Sequence, residues 1–163
     1  MPNTTTVQVF RIVIKASARA IWEAITKPEW TERYGYGGRV SYDMATDGRF
    51  SHKASAEMKS FGLPDEIIVG KVIESDPPRK LVQTWHPLFD PETTAEPHTR
   101  LTYEIAEHQG VCTVTITHDA TDAPRVAAMV SGGGDPQQGG GGWPWILSDL
   151  KSLLETGQRM SGN

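Results

Sequence analysis

Gly139-Gly140-Gly141-Gly142-Trp143-Pro144-Trp145-Ile146-Leu147-Ser148-Asp149-Leu150-Lys151-Ser152-Leu153-Leu154-Glu155-Thr156-Gly157 is the stretch on which the fold of this chain turns. Trp143, Ile146, Leu147, Leu150, Leu153 and Leu154 recur at helical spacing, with Asp149, Lys151, Ser152 and Glu155 assigned to the opposite face. Pro144 suits the first helical position, where a missing N–H is no loss, and Gly157 suits the left-handed residue just past the end. The stretch predicts a long C-terminal helix whose broad apolar face must be buried against another element. The glycine runs before it predict a flexible hinge over residues 131–142.

Working back from that helix, the rest of the chain reads mostly as strands. Val7, Val9, Ile12 and Ile14 mark a β-branched first strand that ends near Lys15. Ser17 caps a short helix over 18–26 that Pro28 stops, and a second short helix or turn covers 29–34. Strands follow at 39–44 and 49–58 about Asp47-Gly48, at 67–74 and 80–86 about Pro77-Pro78, and at 101–107 and 111–118 about Gln109-Gly110. Short turns imply antiparallel neighbours, because parallel strands need crossovers of about a dozen residues or more. An antiparallel sheet with one solvated face must cover the other, and only the C-terminal helix is long enough to do so. The expected fold is therefore α+β: a curved antiparallel sheet of about seven strands wrapped around that helix in a helix-grip arrangement, one domain over 1–163.

Composition narrows the function classes. The formal net charge is -4 over 163 residues, and Lys and Arg are scattered singly, so no nucleic-acid footprint is expected. No apolar run approaches the roughly 20 residues of a membrane helix, and Met1-Pro2-Asn3-Thr4-Thr5-Thr6 carries no basic leader; a cytoplasmic protein with no membrane partner is expected. Cys112, the only cysteine, lies in an alternating apolar run and reads as a small core side chain. Histidines at 52, 86, 98, 108 and 118 form no paired helical spacing and no Cys/His cluster, so neither a metal site nor a cofactor is expected. The glycine tract lacks the Lys-Ser/Thr of a phosphate loop, and Asp119 and Asp122 read as solvated turn residues.

Strand parity predicts which side chains face the helix. Small inward residues, Ala54, Ala56 and Gly70, would leave volume that a packed interior normally fills. The expected ligand contacts are Phe50, His52, Met58, Gln83, Trp85, Tyr103, His118, Met129, Trp143, Leu147 and Leu150, an apolar lining with a few polar groups able to orient a ligand.

Four stretches in order carry a family resemblance. They are Ala20-Ile21-Trp22-Glu23-Ala24-Ile25-Thr26 with Pro28-Glu29, Asp76-Pro77-Pro78-Arg79-Lys80-Leu81-Val82-Gln83-Thr84-Trp85, Val114-Thr115-Ile116-Thr117-His118, and the final helix from Gly142 to Gly157. Together they resemble the SRPBCC (START-like) superfamily, in its subfamily of homologues of the heat-shock chaperone ATPase activator. The resemblance implies a helix-grip fold whose cavity serves lipids, hormones, polyketides or other small molecules. The expected function is binding of a small apolar or aromatic molecule as a carrier, sensor or sequestering protein. Two alternatives stand beside it: an enzyme such as a polyketide-type cyclase, dehydratase or hydrolase working through Tyr103 or His118, and a chaperone accessory or homodimer built on Trp30, Tyr34 and Tyr36.

Overall fold

The computed structural model describes residues 6–160, so the N-terminal stretch Met1 to Thr5, read above as lacking a basic leader, lies outside them. Seven strands form one sheet: β1 (Val7–Ile14), β2 (Arg39–Tyr42), β3 (Arg49–Lys53), β4 (Glu66–Asp76), β5 (Lys80–Pro87), β6 (Thr99–His108) and β7 (Val111–Asp119). Their order is β1-β7-β6-β5-β4-β3-β2 with every neighbour antiparallel, so the expected meander runs from β2 to β7. β1 returns to lie beside β7, Val7 opposite Asp119 and Ile14 opposite Cys112. Between β1 and β2 come α1 (Ala18–Thr26), capped by the Ser17 hydroxyl on the Ala20 N–H, and α2 (Pro28–Thr31). The remaining helices are α3 (Ala56–Ser60), α4 (Pro91–Thr94), α5 (Pro124–Val130) and α6 (Gly142–Thr156). None is long and apolar enough to cross a membrane.

Alternation sets the concave face as parity predicts. Phe50, Val72, Leu81, Trp85, Leu101, Ile105, Cys112, Val114 and Ile116 are buried there, and α6 lays Trp143, Leu147, Leu150 and Leu153 onto them. Full burial of each such aliphatic side chain stabilises the fold by about 1.5–3 kcal/mol relative to exposure. Gly157 ends α6 at φ 81°, its N–H bonded to the Leu153 carbonyl, as expected.

Four expectations need correction. Residues 54–58 do not continue β3: Ser55 accepts the Met58 N–H and caps α3, because Ala, Glu, Met and Lys after a Ser favour a helical turn over a strand. Ala54 and Ala56 therefore leave no volume inside the sheet. Gly70 leaves none either; a Cβ there would lie 2.0 Å from the Thr84 carbonyl oxygen, so its smallness serves a close approach of β4 to β5. The final helix begins at Gly142, which puts Pro144 third in it, where the N–H it lacks would still have no intrahelical partner. Within segment 131–142, where the hinge is expected, Gly134 N–H bonds to Gly140 O at 3.1 Å and Gly140 N–H to Asp135 O at 2.8 Å, around a short helical turn at Pro136–Gln138.

The fourth correction concerns Asp149, which lies on the buried side of α6 with no exposure at all. Its two carboxylate oxygens accept the Gly35 N–H at 2.8 Å and the Met160 N–H at 2.6 Å. Arg159 stands 3.6 Å away and donates to the Gly35 carbonyl at 2.7 Å. One buried carboxylate thus ties the helix, the loop after α2 and the returning C-terminal tail together, which satisfies a charge that burial would otherwise penalise.

Candidate functional site

A cavity of about 570 Å³ opens where α3, the start of β4, the end of β5, α5 and the start of α6 converge. Its wall is mostly apolar: Met58, Phe61 and Leu63 on one side, Ile67, Ile68 and Trp85 from the sheet with Phe89 from the bend after β5, and Met129, Val130, Trp143 and Ile146 from the last two helices. Phe61 is 79% exposed and marks the mouth, while Trp85 and Trp143 are buried at the inner end. Tyr36, Ser55, Glu57, Gln137 and Gln138 supply the polar rim. Tyr36 fixes that rim, because its hydroxyl donates to the Pro136 carbonyl at 3.0 Å and accepts the Gly141 N–H at 2.8 Å.

Of the expected contacts, His52, Met58, Trp85, Met129 and Trp143 line this cavity. Phe50, Gln83, Tyr103, His118, Leu147 and Leu150 lie outside its wall. Phe50 packs on the Tyr42 ring at 4.8 Å, and the Gln83 side-chain carbonyl accepts the Tyr42 hydroxyl at 2.6 Å. Leu147 and Leu150 belong to the seam between α6 and the sheet. Tyr103 sits edge-on to Trp143 at 6.0 Å, and burial pushes its phenol pKa well above the ordinary value.

His118 is the most constrained polar group. It has no exposure, its Nδ1 lies 3.0 Å from the Trp143 indole Nε1 and its Nε2 lies 2.8 Å from the Thr99 hydroxyl. Indole N–H can only donate, so Nδ1 accepts and the ring proton resides on Nε2. Nε2 then donates to Thr99 Oγ1, whose own proton goes to the Trp85 carbonyl at 2.8 Å. The result is a one-way relay from Trp143 through His118 and Thr99 to the Trp85 backbone, which orients both tryptophans at the inner end of the cavity. Burial lowers the His118 pKa to about 4, with the Asp119 charge pulling weakly the other way, so the ring is neutral at physiological pH.

Sequence reasoning missed Phe61, Leu63, Ile67, Phe89, Ile146 and the Gln137-Gln138 rim. The signal for the first two was present: Ser55 followed by three good helix formers and Met58 is a cap, and treating it as one would have turned Phe61 and Leu63 back over the sheet. The aromatic cluster considered as an outward patch is dispersed. Tyr34 is buried with its hydroxyl on the Ala24 carbonyl, Trp30 lies under the Arg33 guanidinium, and Tyr36 belongs to the cavity rim. Cys112 is buried in the core, its thiol pKa raised by burial and by Glu107.

Comparisons with known proteins agree with this architecture. Solved structures with the same fold include CalU16 from Micromonospora echinospora, at 15% identity and TM-score 0.64, covering 96% of this chain and 88% of that one. Protein MLL2253 from Mesorhizobium loti is 18% identical with TM-score 0.68, covering 92% of this chain and 97% of that one. PFC0360w, an HSP90 activator from Plasmodium falciparum, is 18% identical with TM-score 0.55, covering 95% and 91% of the two chains. At such identities the likeness is one of fold. No curated protein matches the chain. Residues 15–155 match the family described as Activator of Hsp90 ATPase homolog 1-like protein. That span begins just after β1 and runs through β2 to β7 to the last turn of α6, six of the seven strands and nearly all of the grip helix, and the chain belongs to this family.

Proposed function

We propose that this protein binds a small apolar or aromatic molecule in the cavity beside α6, as a carrier, sensor or sequestering protein. The observation that carries the proposal is the cavity itself: about 570 Å³ walled by Met, Ile, Leu and aromatic side chains, in a class of molecule whose interiors otherwise leave few voids larger than a water. Two methionines, Met58 and Met129, add an adaptable surface able to fit more than one shape. The glycine-rich segment contributes Gln137, Gln138 and Gly139 to the mouth, a position from which it would act as a lid. Proton transfer through Tyr103 or His118 has less in its favour, since neither lines the cavity and both His118 nitrogens are already engaged. Screening apolar aromatic probes by thermal unfolding tests the proposal. A probe at a hundred times its dissociation constant should add about 2.7 kcal/mol and quench tryptophan emission in parallel, because Trp85 and Trp143 are in the wall. A broad probe set that moves neither signal would remove the proposal's basis.

A further inference from the structure

The cavity wall carries one polar side chain whose unused atom is defined by what the other atom does. His52 Nε2 lies 2.9 Å from the Gly37 carbonyl oxygen. A carbonyl can only accept, so the ring proton is on Nε2, and Nδ1 carries a lone pair with no protein partner among the described residues. The ring is held in place. Gly38 packs against it so closely that a Cβ there would lie 2.5 Å from Nε2, and Gly38 adopts φ +85°, which favours glycine. On the strand side, Val40 of β2 pairs with His52 across the edge of the sheet. Beyond the apolar lining and the neutral polar rim of Tyr36, Ser55, Gln137 and Gln138, the wall includes Glu57 and, among the described residues, neither Lys nor Arg. Burial also lowers the His52 pKa, the Gly37 bond opposing it, so the ring stays neutral and its lone pair remains available.

We propose that His52 is the polar anchor of the cavity and that its ligand is a neutral aromatic molecule bearing a hydroxyl or N–H donor, which binds to His52 Nδ1. This inference rests on the cavity-binding function proposed above and adds the chemical class that the cavity selects. A carboxylate ligand would meet a lone pair and Glu57 with no cation to offset its lost hydration, so anions are selected against. An aromatic without a donor would fit but leave Nδ1 unpaired.

Calorimetric titration with three matched probes tests it: para-phenylphenol, its methyl ether and para-phenylbenzoate. The phenol should bind roughly three- to tenfold more tightly than the ether, one neutral hydrogen bond's worth, and the benzoate should bind most weakly. In His52→Phe, which keeps an aromatic ring and removes the acceptor, the phenol and ether should bind alike. The comparison in the parent protein stands even if that variant fails to fold. Equal binding of phenol and ether by the parent protein, or a benzoate that binds best, overturns the anchor while leaving the cavity function intact. Absence of binding by all three overturns both.

Discussion

His118→Ala should lose about 3–5 kcal/mol of stability in denaturant unfolding at neutral pH, the sum of a core truncation and an indole N–H left without its acceptor. The residue has no exposure, and its removal strands the Trp143 Nε1–H that now lies 3.0 Å from Nδ1. The same experiment carries a pH signature. The folded pKa is lowered to about 4 from an ordinary value near 6.5, because burial strips water from the charged ring. A depressed folded pKa means that the unfolded chain takes up the proton first as pH falls. The stabilisation is therefore complete above about 6.5 and is lost as pH drops towards about 4, roughly 3 kcal/mol in all. His118→Ala has no such group, so its deficit relative to the parent should shrink over that window. His52 and His86, whose pKa values burial also lowers, add a slope of the same sign to both proteins and cancel in the difference. A variant deficit that stays constant from neutral to acid pH would show that the His118 relay is not neutral and closed as described.

Asp149→Ala should cost about 3 kcal/mol, the lower part of the range for breaking a buried ion pair, because the Arg159 side chain keeps 24% of its exposure and regains water. Two amides lose their acceptor at once, the Gly35 N–H and the Met160 N–H, and the Arg159 guanidinium loses the counter-charge 3.6 Å away. The effect should be local as well as global. Amide exchange at Gly35 and Met160 should accelerate in the variant well beyond what the change in global stability accounts for, since the carboxylate is the acceptor of both amides. Unchanged stability, with unchanged exchange at those two amides, would contradict the clasp.

The frame of the molecule was legible because it depends on period and punctuation. The spacing of Trp143, Leu147, Leu150 and Leu153 marks a helix, alternation along β6 and β7 marks a half-buried sheet, and Asp47-Gly48 and Gln109-Gly110 mark turns. What failed were side chains whose burial depends on distant partners. Asp149 looks like a solvated helix residue until the tail from Gly157 to Met160 folds back over it, and no local pattern announces that return. Gly70 looks like empty volume until the Thr84 backbone is placed against it. Parity put Gln83, Tyr103 and His118 on the inner face, where they are, but facing inward is not the same as lining a cavity. Their polar or aromatic groups are taken up by Tyr42, Trp143 and Thr99, whereas the void lies at the end of the sheet closed by α3 and α5, elements that alternation cannot position.

The cavity beside α6 is the proposed place of uptake for a small aromatic molecule. An NMR titration of the isotopically labelled protein with para-phenylphenol tests it most directly, by mapping which amides move. Saturable shifts are expected at His52, across 57–68, at Trp85 and Phe89, at Met129 and Val130, and across 137–146, with the outward-facing valines of β1 unchanged. Shifts that fail to saturate, or that gather on the outer face of β1 and β7 and spare Trp85 and Trp143, would contradict it.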